Sequence, residues 1–294
     1  MRFCRVLTAL LLGAGLALDA CAPTNAAHPE MLVSTQWLAE HLSDPKVVLV
    51  HVIHHPDEFR EEHIPGARPL TMDQFASDDP PGTELLPPEE LKKNLEAIGI
   101  SDDSRVVIYA PMWDPMGTRL LFTLDYIGHT NNAMLDGGLE QWKAEHRPVS
   151  TEAAGKFQAG NLTAKAHPEI VAKIGEMQEL ISRGTGETVI IDARPERRYS
   201  SGHLPGAHSL FWEHTRVSKE HPVLKSPAEL RQLFVSAGAT PGKKIVSYCE
   251  VGLQATHAYF VARYLGFDAA MYDGSWSEWS STKAAPVVKG DSPK

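Results

Sequence analysis

The sequence predicts an α/β protein made of two copies of one domain, each with a mainly parallel central sheet flanked by helices. Two observations carry this. The chain repeats itself: HIPGARPL (63–70) returns as HLPGAHSL (203–210), and LDGGLEQW (135–142) returns as YDGSWSEW (272–279). The elements between these landmarks keep the same order, which two copies of a domain explain better than chance similarity. Within each copy, short β-branched runs alternate with helical periodicity, the pattern of strand–helix–strand units with parallel strands. A length of 294 residues suits two such domains, each able to bury its own core.

Arg2 and Arg5 precede an apolar run from Val6 to Leu18, and small residues follow as far as Ala27. This is the make-up of a secretory leader, because the run is too short for a permanent transmembrane helix. The body is therefore expected to be exported, either periplasmic or lipid-anchored on the outer side of the cytoplasmic membrane or on the outer membrane. Leu18-Asp19-Ala20-Cys21 resembles a bacterial lipoprotein box in which Cys21 would carry the lipid, with Asp19 an awkward member. Cleavage by an ordinary signal peptidase after Ala22 or Ala27 is the competing reading.

After a leader over 1–27, the first domain is expected over 28–146, with a strand from Val47 to Val52, a helix from Pro88 to Ile98, a strand from Val106 to Tyr109 and a helix from Thr118 to Tyr126. Pro and Gly in each His-x-Pro-Gly-Ala segment mark a tight turn. Residues 147–165, with Gly155 and Gly160 and no sustained period, are read as the connection. A second domain over 166–281 repeats the order with TVIIDAR and KKIVSYC as strands, and 282–294 form a tail.

A formal charge of −9 argues against nucleic acid or anionic membrane surfaces as partners. Membrane association is left to an anchor at Cys21. Of three cysteines, Cys4 and Cys21 fall in the leader region, so Cys249 stands alone in the body. It is either a small buried apolar group or a free reactive thiol.

The context of Cys249 favours the second reading. A strand ending at Tyr248 delivers it, Glu250, Val251, Gly252 and Leu253 must turn sharply, and a helix resumes near Gln254 with Ala258, Val261, Ala262 and Leu265 at helical spacing. Ligands bind at the carboxyl ends of parallel strands, and a loop closing into a helix aims several N–H groups at one point. Those donors are expected to lower the thiol's pKa, and Gly252 lets the backbone curl. A Cys-x5-Arg phosphatase loop would need an arginine where Ala255 stands. His51, His54, His55 and His63 have no spacing of a closed metal site, so no metal is expected. Trp276 and Trp279 could stack on a ligand, but their match to Trp142 in the copy without cysteine favours packing.

On the segments DARPERRYSSGHLPGA (192–207), YCEVGLQAT (248–256) and YDGSWSEW (272–279), the chain resembles the tandem-domain rhodaneses over essentially everything after the leader. That family includes thiosulfate and 3-mercaptopyruvate sulfurtransferases. The resemblance implies two rhodanese-like domains with the nucleophile in the second only; the matching strand of the first ends in IYAPMWDPMGTR, with Ala110 at the cysteine's place. It implies a Cys249 persulfide formed from a small anionic sulfur donor and passed to cyanide or a thiol, without metal or organic cofactor. The active-site loop would be Glu250, Val251, Gly252, Leu253, Gln254, Ala255 and Thr256. Arg198 matches the family's substrate-binding arginine, and Arg194 would bind the donor or position the loop. Asp192, His203, Asp273 and Trp276 would be structural supports. Glu250 and Gln254 depart from the loops of both sulfurtransferase types, and a carboxylate beside the nucleophile disfavours a doubly charged donor. The alternative from another class is a non-enzymatic binding or persulfide-carrier module.

Overall fold

Val47–Ile53 is a run of valine, leucine, histidine and isoleucine, buried along nearly its whole length, as a strand covered on both faces must be. It is β2 of a five-stranded parallel sheet in a computed structural model that describes residues 25–77 and 82–293. Residues 1–24 of the expected leader, Cys21 among them, lie outside the described residues. Around β2 stand β1 (Leu32–Val33), α1 (Thr35–His41), α2 (Pro56–Glu61), β3 (Arg68–Thr71), α3 (Pro88–Ala97), β4 (Arg105–Tyr109), α4 (Pro115–Tyr126), β5 (Asn132–Leu135) and α5 (Gly138–Ala144). The sheet order is β1-β5-β4-β2-β3, and every pairing is parallel.

The second domain repeats this. It comprises β6 (Val171–Ala172), α6 (Ile174–Arg183), β7 (Thr188–Asp192), α7 (Glu196–Ser201), β8 (Ala207–Ser209), α8 (Pro227–Ser236), β9 (Lys244–Tyr248), α9 (Gln254–Tyr264), β10 (Asp268–Tyr272) and α10 (Ser275–Ser281). Its order, β6-β10-β9-β7-β8, is that of the first sheet, again all parallel. The registers make Tyr109 and Tyr248 equivalent, the one opposite His51 on β2 and the other opposite Asp192 on β7.

Two helices join the halves. Every residue of α4 from Pro115 to Asp125 is buried, and so are nine of the eleven residues of α9. A helix without a polar face needs apolar neighbours all round. These two find them in each other and in their own sheets, so Leu120, Leu121 and Phe122 share one continuous core with Tyr259, Phe260 and Val261. Phe122 meets Tyr259 edge to face with ring centres 5.0 Å apart.

The connection after α5 is packed along the first domain. Ser150 exchanges backbone hydrogen bonds with His63, Leu162 is buried, and the Thr163 N–H donates to Asp102 at 2.7 Å. The tail is tied to the second domain in the corresponding way: Val288 pairs with His203, and Pro286 accepts the Trp279 indole N–H at 3.0 Å, as Pro148 accepts that of Trp142 at 2.7 Å.

Candidate active site

Cys249 follows directly on β9, and Glu250 to Leu253 carry the chain round to the start of α9. Gly252 has φ +84°, and a Cβ there would lie 2.5 Å from the Asp273 carbonyl, so the loop can lie this close to the β10–α10 turn only with glycine. That turn holds the loop's base. The Cys249 N–H donates to Ser275 Oγ at 3.1 Å, while the N–H groups of Trp276 and Ser277 donate to the carbonyls of Cys249 and Glu250. Sequence reasoning missed Ser275; the signal was its repeat partner Gly138, and both carry positive φ.

The backbone N–H groups of Ala255, Val251 and Gly252 favour the charged form of the Cys249 sulfur. The expected lowering of the thiol's pKa is nevertheless corrected. Burial pushes it above its ordinary value, these amides pull it back only in part, and the Asp192 carboxylate adds to the rise. Cys249 is only 1% exposed, because the first domain covers the loop. Thr83 donates its hydroxyl to the Val251 carbonyl, the hydroxyls of Thr118 and Thr256 meet at 2.8 Å, and Arg119 reaches the Gly252 carbonyl at 3.5 Å. Arg119 is itself held by Asp273 at 2.6 Å. None of these first-domain residues sits in a recognisable motif.

The arginines separate by burial. Arg194 is 1% exposed; its Nε and Nη2 donate to Asp192 at 3.0 and 2.7 Å, Nη2 also donates to Gly202 O at 2.7 Å, and Nη1 faces Glu250 at 3.5 Å. Its plane lies over the Trp276 ring, 4.5 Å from the centre. Arg194 is thus tied to the strand end at Asp192, to the Gly202 carbonyl and to the first residue of the loop after Cys249. Tyr248 donates its hydroxyl to Asp192 at 2.6 Å, so Asp192 supports strand end and arginine together. Arg198 is exposed on α7, as is Arg197. His203 donates Nδ1 to the Tyr199 carbonyl at 3.0 Å and stacks on that ring at 3.8 Å, as His63 stacks on Phe59 at 3.7 Å. Gln254 and Thr256 lie in the first turn of α9.

The first domain's equivalent loop is filled differently. Ala110 replaces the cysteine, Pro111 brings no N–H, and the Met112 N–H donates to Glu140 at 3.1 Å. The two domains also cap one another reciprocally. Leu85 N donates to Asp273 at 3.2 Å and Leu224 N to the matching Asp136 at 3.0 Å; Arg216 donates to the Met112 carbonyl at 2.7 Å, as Thr83 does to Val251.

A single thiol in a loop of converging amides, set at a parallel strand end in one half of a duplicated α/β domain, defines a protein built for chemistry at sulfur. The chain belongs to the rhodanese family: the family model described as Rhodanese-like domain matches it twice, over residues 34–145 and 174–282. It is 31% identical to the sulfur carrier protein TtuD of Thermus thermophilus, over 90% of this chain and 99% of that one. It is 29% identical to the "Putative thiosulfate sulfurtransferase" of Mycolicibacterium smegmatis, over 90% and 99%. The anaerobic ergothioneine biosynthesis enzyme of Chlorobium limicola, solved with trimethyl histidine, shares the fold at a TM-score of 0.80 and 23% identity, covering 90% of this chain and 71% of that one.

Proposed function

We propose that this protein is a sulfurtransferase that moves a sulfane sulfur from a small anionic donor, thiosulfate or 3-mercaptopyruvate, to a thiophilic acceptor through a Cys249 persulfide. The observation that carries the reading is Cys249 itself, delivered by the end of β9 into the turn that opens α9 in a chain of the rhodanese family. The thiolate attacks the outer sulfur of the donor, a sulfur–sulfur bond forms, and sulfite leaves thiosulfate with the electron pair of the broken bond. The persulfide's terminal sulfur carries the negative charge, and the amides stabilise it without a general base. Cyanide then takes that sulfur as thiocyanate and the Cys249 thiolate returns. Arg198, exposed on the helix after the Asp192 strand, meets the donor's anionic end. The site needs neither metal nor organic cofactor for these steps.

The experiment is intact mass of the purified protein before and after thiosulfate or 3-mercaptopyruvate, followed by a cyanide chase. One added sulfur, removed by the chase and absent in Cys249→Ser, is the expected result; no sulfur from either donor overturns the reading. A second reading, a persulfide carrier serving one protein partner, is favoured by the near-complete burial of Cys249 and by the TtuD relative's name. Multiple turnovers with free cyanide separate the enzyme from the carrier. Export follows from the leader-like start of the sequence, and the mass of the mature N-terminus tests it: a lipid on Cys21 or a free amine at residue 23 or 28 decides between the two cleavage routes.

A further inference from the structure

We infer that a cavity at the seam between the two domains, beside the turn that supports the Cys249 loop, is a binding site for a small alkylamine in its primary ammonium form. The site is distinct from the thiol chemistry and does not depend on the sulfurtransferase reading.

The cavity has a volume of about 350 Å³ and takes its walls from both halves: Glu84 and Tyr126 come from the first domain, and Lys173, Ile174, Asp273 and Glu278 from the second. Its charges do not balance. Asp273 is matched by Arg119 at 2.6 Å. Glu84 and Glu278 pair with no cation among the described residues, and Lys173, the cation on the cavity wall, is exposed and joined to neither. Three carboxylates against Arg119 and Lys173 leave one negative charge over. Burial, with the repulsion of Asp273 and Glu278, pushes the Glu84 carboxyl above its ordinary pKa against the pull of Arg119.

Tyr272 points to a ligand independently. Its side chain is wholly buried, its hydroxyl has no hydrogen-bond partner, and that hydroxyl is directed at Glu278, with the Glu84 charge also felt there. A buried hydroxyl left over in this way is one that a bound group satisfies.

The walls select the kind of cation. No group of histidine, cysteine, aspartate and glutamate side chains among the described residues is arranged to hold a metal ion. Tyr126 and Ile174 offer apolar surface that a bare ion leaves unused and a short alkyl chain covers. A primary ammonium brings three N–H donors, one each for oxygens of Glu84, Glu278 and Tyr272, and its single charge cancels the one left over. A quaternary ammonium brings the charge without the donors. Because Glu84 and Glu278 belong to different domains, the bound ammonium ties them across the seam.

The experiment titrates the full chain with n-butylammonium chloride by calorimetry, with tetramethylammonium chloride at the same ionic strength as the comparison. A dissociation constant of about 1 mM is expected for an n-butylammonium ion, from its size. Tetramethylammonium is expected to bind about tenfold more weakly, and Glu84→Gln and Glu278→Gln each to weaken n-butylammonium about tenfold, through loss of charge-assisted hydrogen bonds. Glu61→Gln, on an exposed carboxylate of α2, is expected to leave it unchanged. The comparison of the two ammonium ions needs no variant, so it holds even where a substitution disturbs the fold. No saturable binding to the wild type, equal binding of the two ions, or the same affinity in folded Glu84→Gln and Glu278→Gln as in the wild type overturns the inference. Each of these leaves the Cys249 persulfide untouched.

Discussion

Arg119 of the first domain meets Asp273 of the second at 2.6 Å, with the guanidinium wholly buried and the carboxylate nearly so. The pair joins α4 to the turn that supports the Cys249 loop. Removing one partner strands the other charge in the interior, so Arg119→Ala is expected to destabilise the protein by about 3–5 kcal/mol. Thermal unfolding followed by circular dichroism measures this; an unchanged midpoint would show that the pair contributes nothing across the seam.

Gly252 is the second point of vulnerability. Ala at this position would combine φ +84° with a Cβ 2.5 Å from the Asp273 carbonyl. The loop must move, and its amides leave the sulfur. Loss of persulfide formation by about a hundredfold or more is expected, since removing a single donor of such a cradle costs on that order. The fall should be in kcat more than in KM; wild-type kinetics for Gly252→Ala would contradict the close approach.

Arg194 and Arg198 should respond in opposite ways. Arg194→Ala leaves Asp192 buried without its partner and lowers stability by about 3 kcal/mol or more. Arg198 is exposed, so Arg198→Ala should leave the unfolding midpoint within a degree or two while raising KM for an anionic donor. Paired thermal and kinetic measurements decide. An Arg194→Ala protein of normal stability, or an Arg198→Ala protein of normal KM, would reverse the assignment.

Stability should vary with pH in two opposed ways. Burial lowers the pKa of His51, aided by His63, and of His257, aided by Arg216, from 6.5 to about 3. Their contribution is complete above 6.5 and is lost as pH falls toward 3, because only the unfolded chain takes up the proton. Burial raises Asp125 and Asp136 from 3.8 to about 6, outweighing Arg263 at 2.8 Å from Asp125 and the Leu224 N–H on Asp136. Their contribution is complete below 3.8 and is lost as pH rises through 6. His51 has neither ring nitrogen bonded, so His51→Leu should gain stability at pH 5 relative to wild type. Asp125→Asn should flatten the decline between pH 4 and 6. Denaturant unfolding across pH 4 to 8 measures both, and parallel curves for variant and wild type would refute the assignments.

The fold was legible because its signals are local or repeat. The two His-x-Pro-Gly-Ala turns and the runs around Val47, Val106 and Thr188 announce strands and turns within a few residues of themselves. Cys249 stood out through its strand-to-helix setting for the same reason. The seam was not legible. Arg119 with Asp273, Thr118 with Thr256 and Thr83 with Val251 join residues more than a hundred positions apart, and no local pattern tells which first-domain residue each second-domain partner meets. The thiol's pKa was misjudged on this account: the loop amides follow from the sequence around Gly252, but the covering by the first domain does not.

Ala110 sits in surroundings that would not serve a thiol. A single Ala110→Cys change would bring sulfur to the first half, yet the neighbouring proline has no amide to offer and Glu140 already holds that of Met112. The resident carboxylate behaves as a permanent inhibitor of its own dead centre. A working thiol in the first half would require several coordinated replacements, none useful alone. Selection can then preserve the silent half only for its grip on the active one, and change in the first copy should be most constrained at Thr83, Thr118 and Arg119.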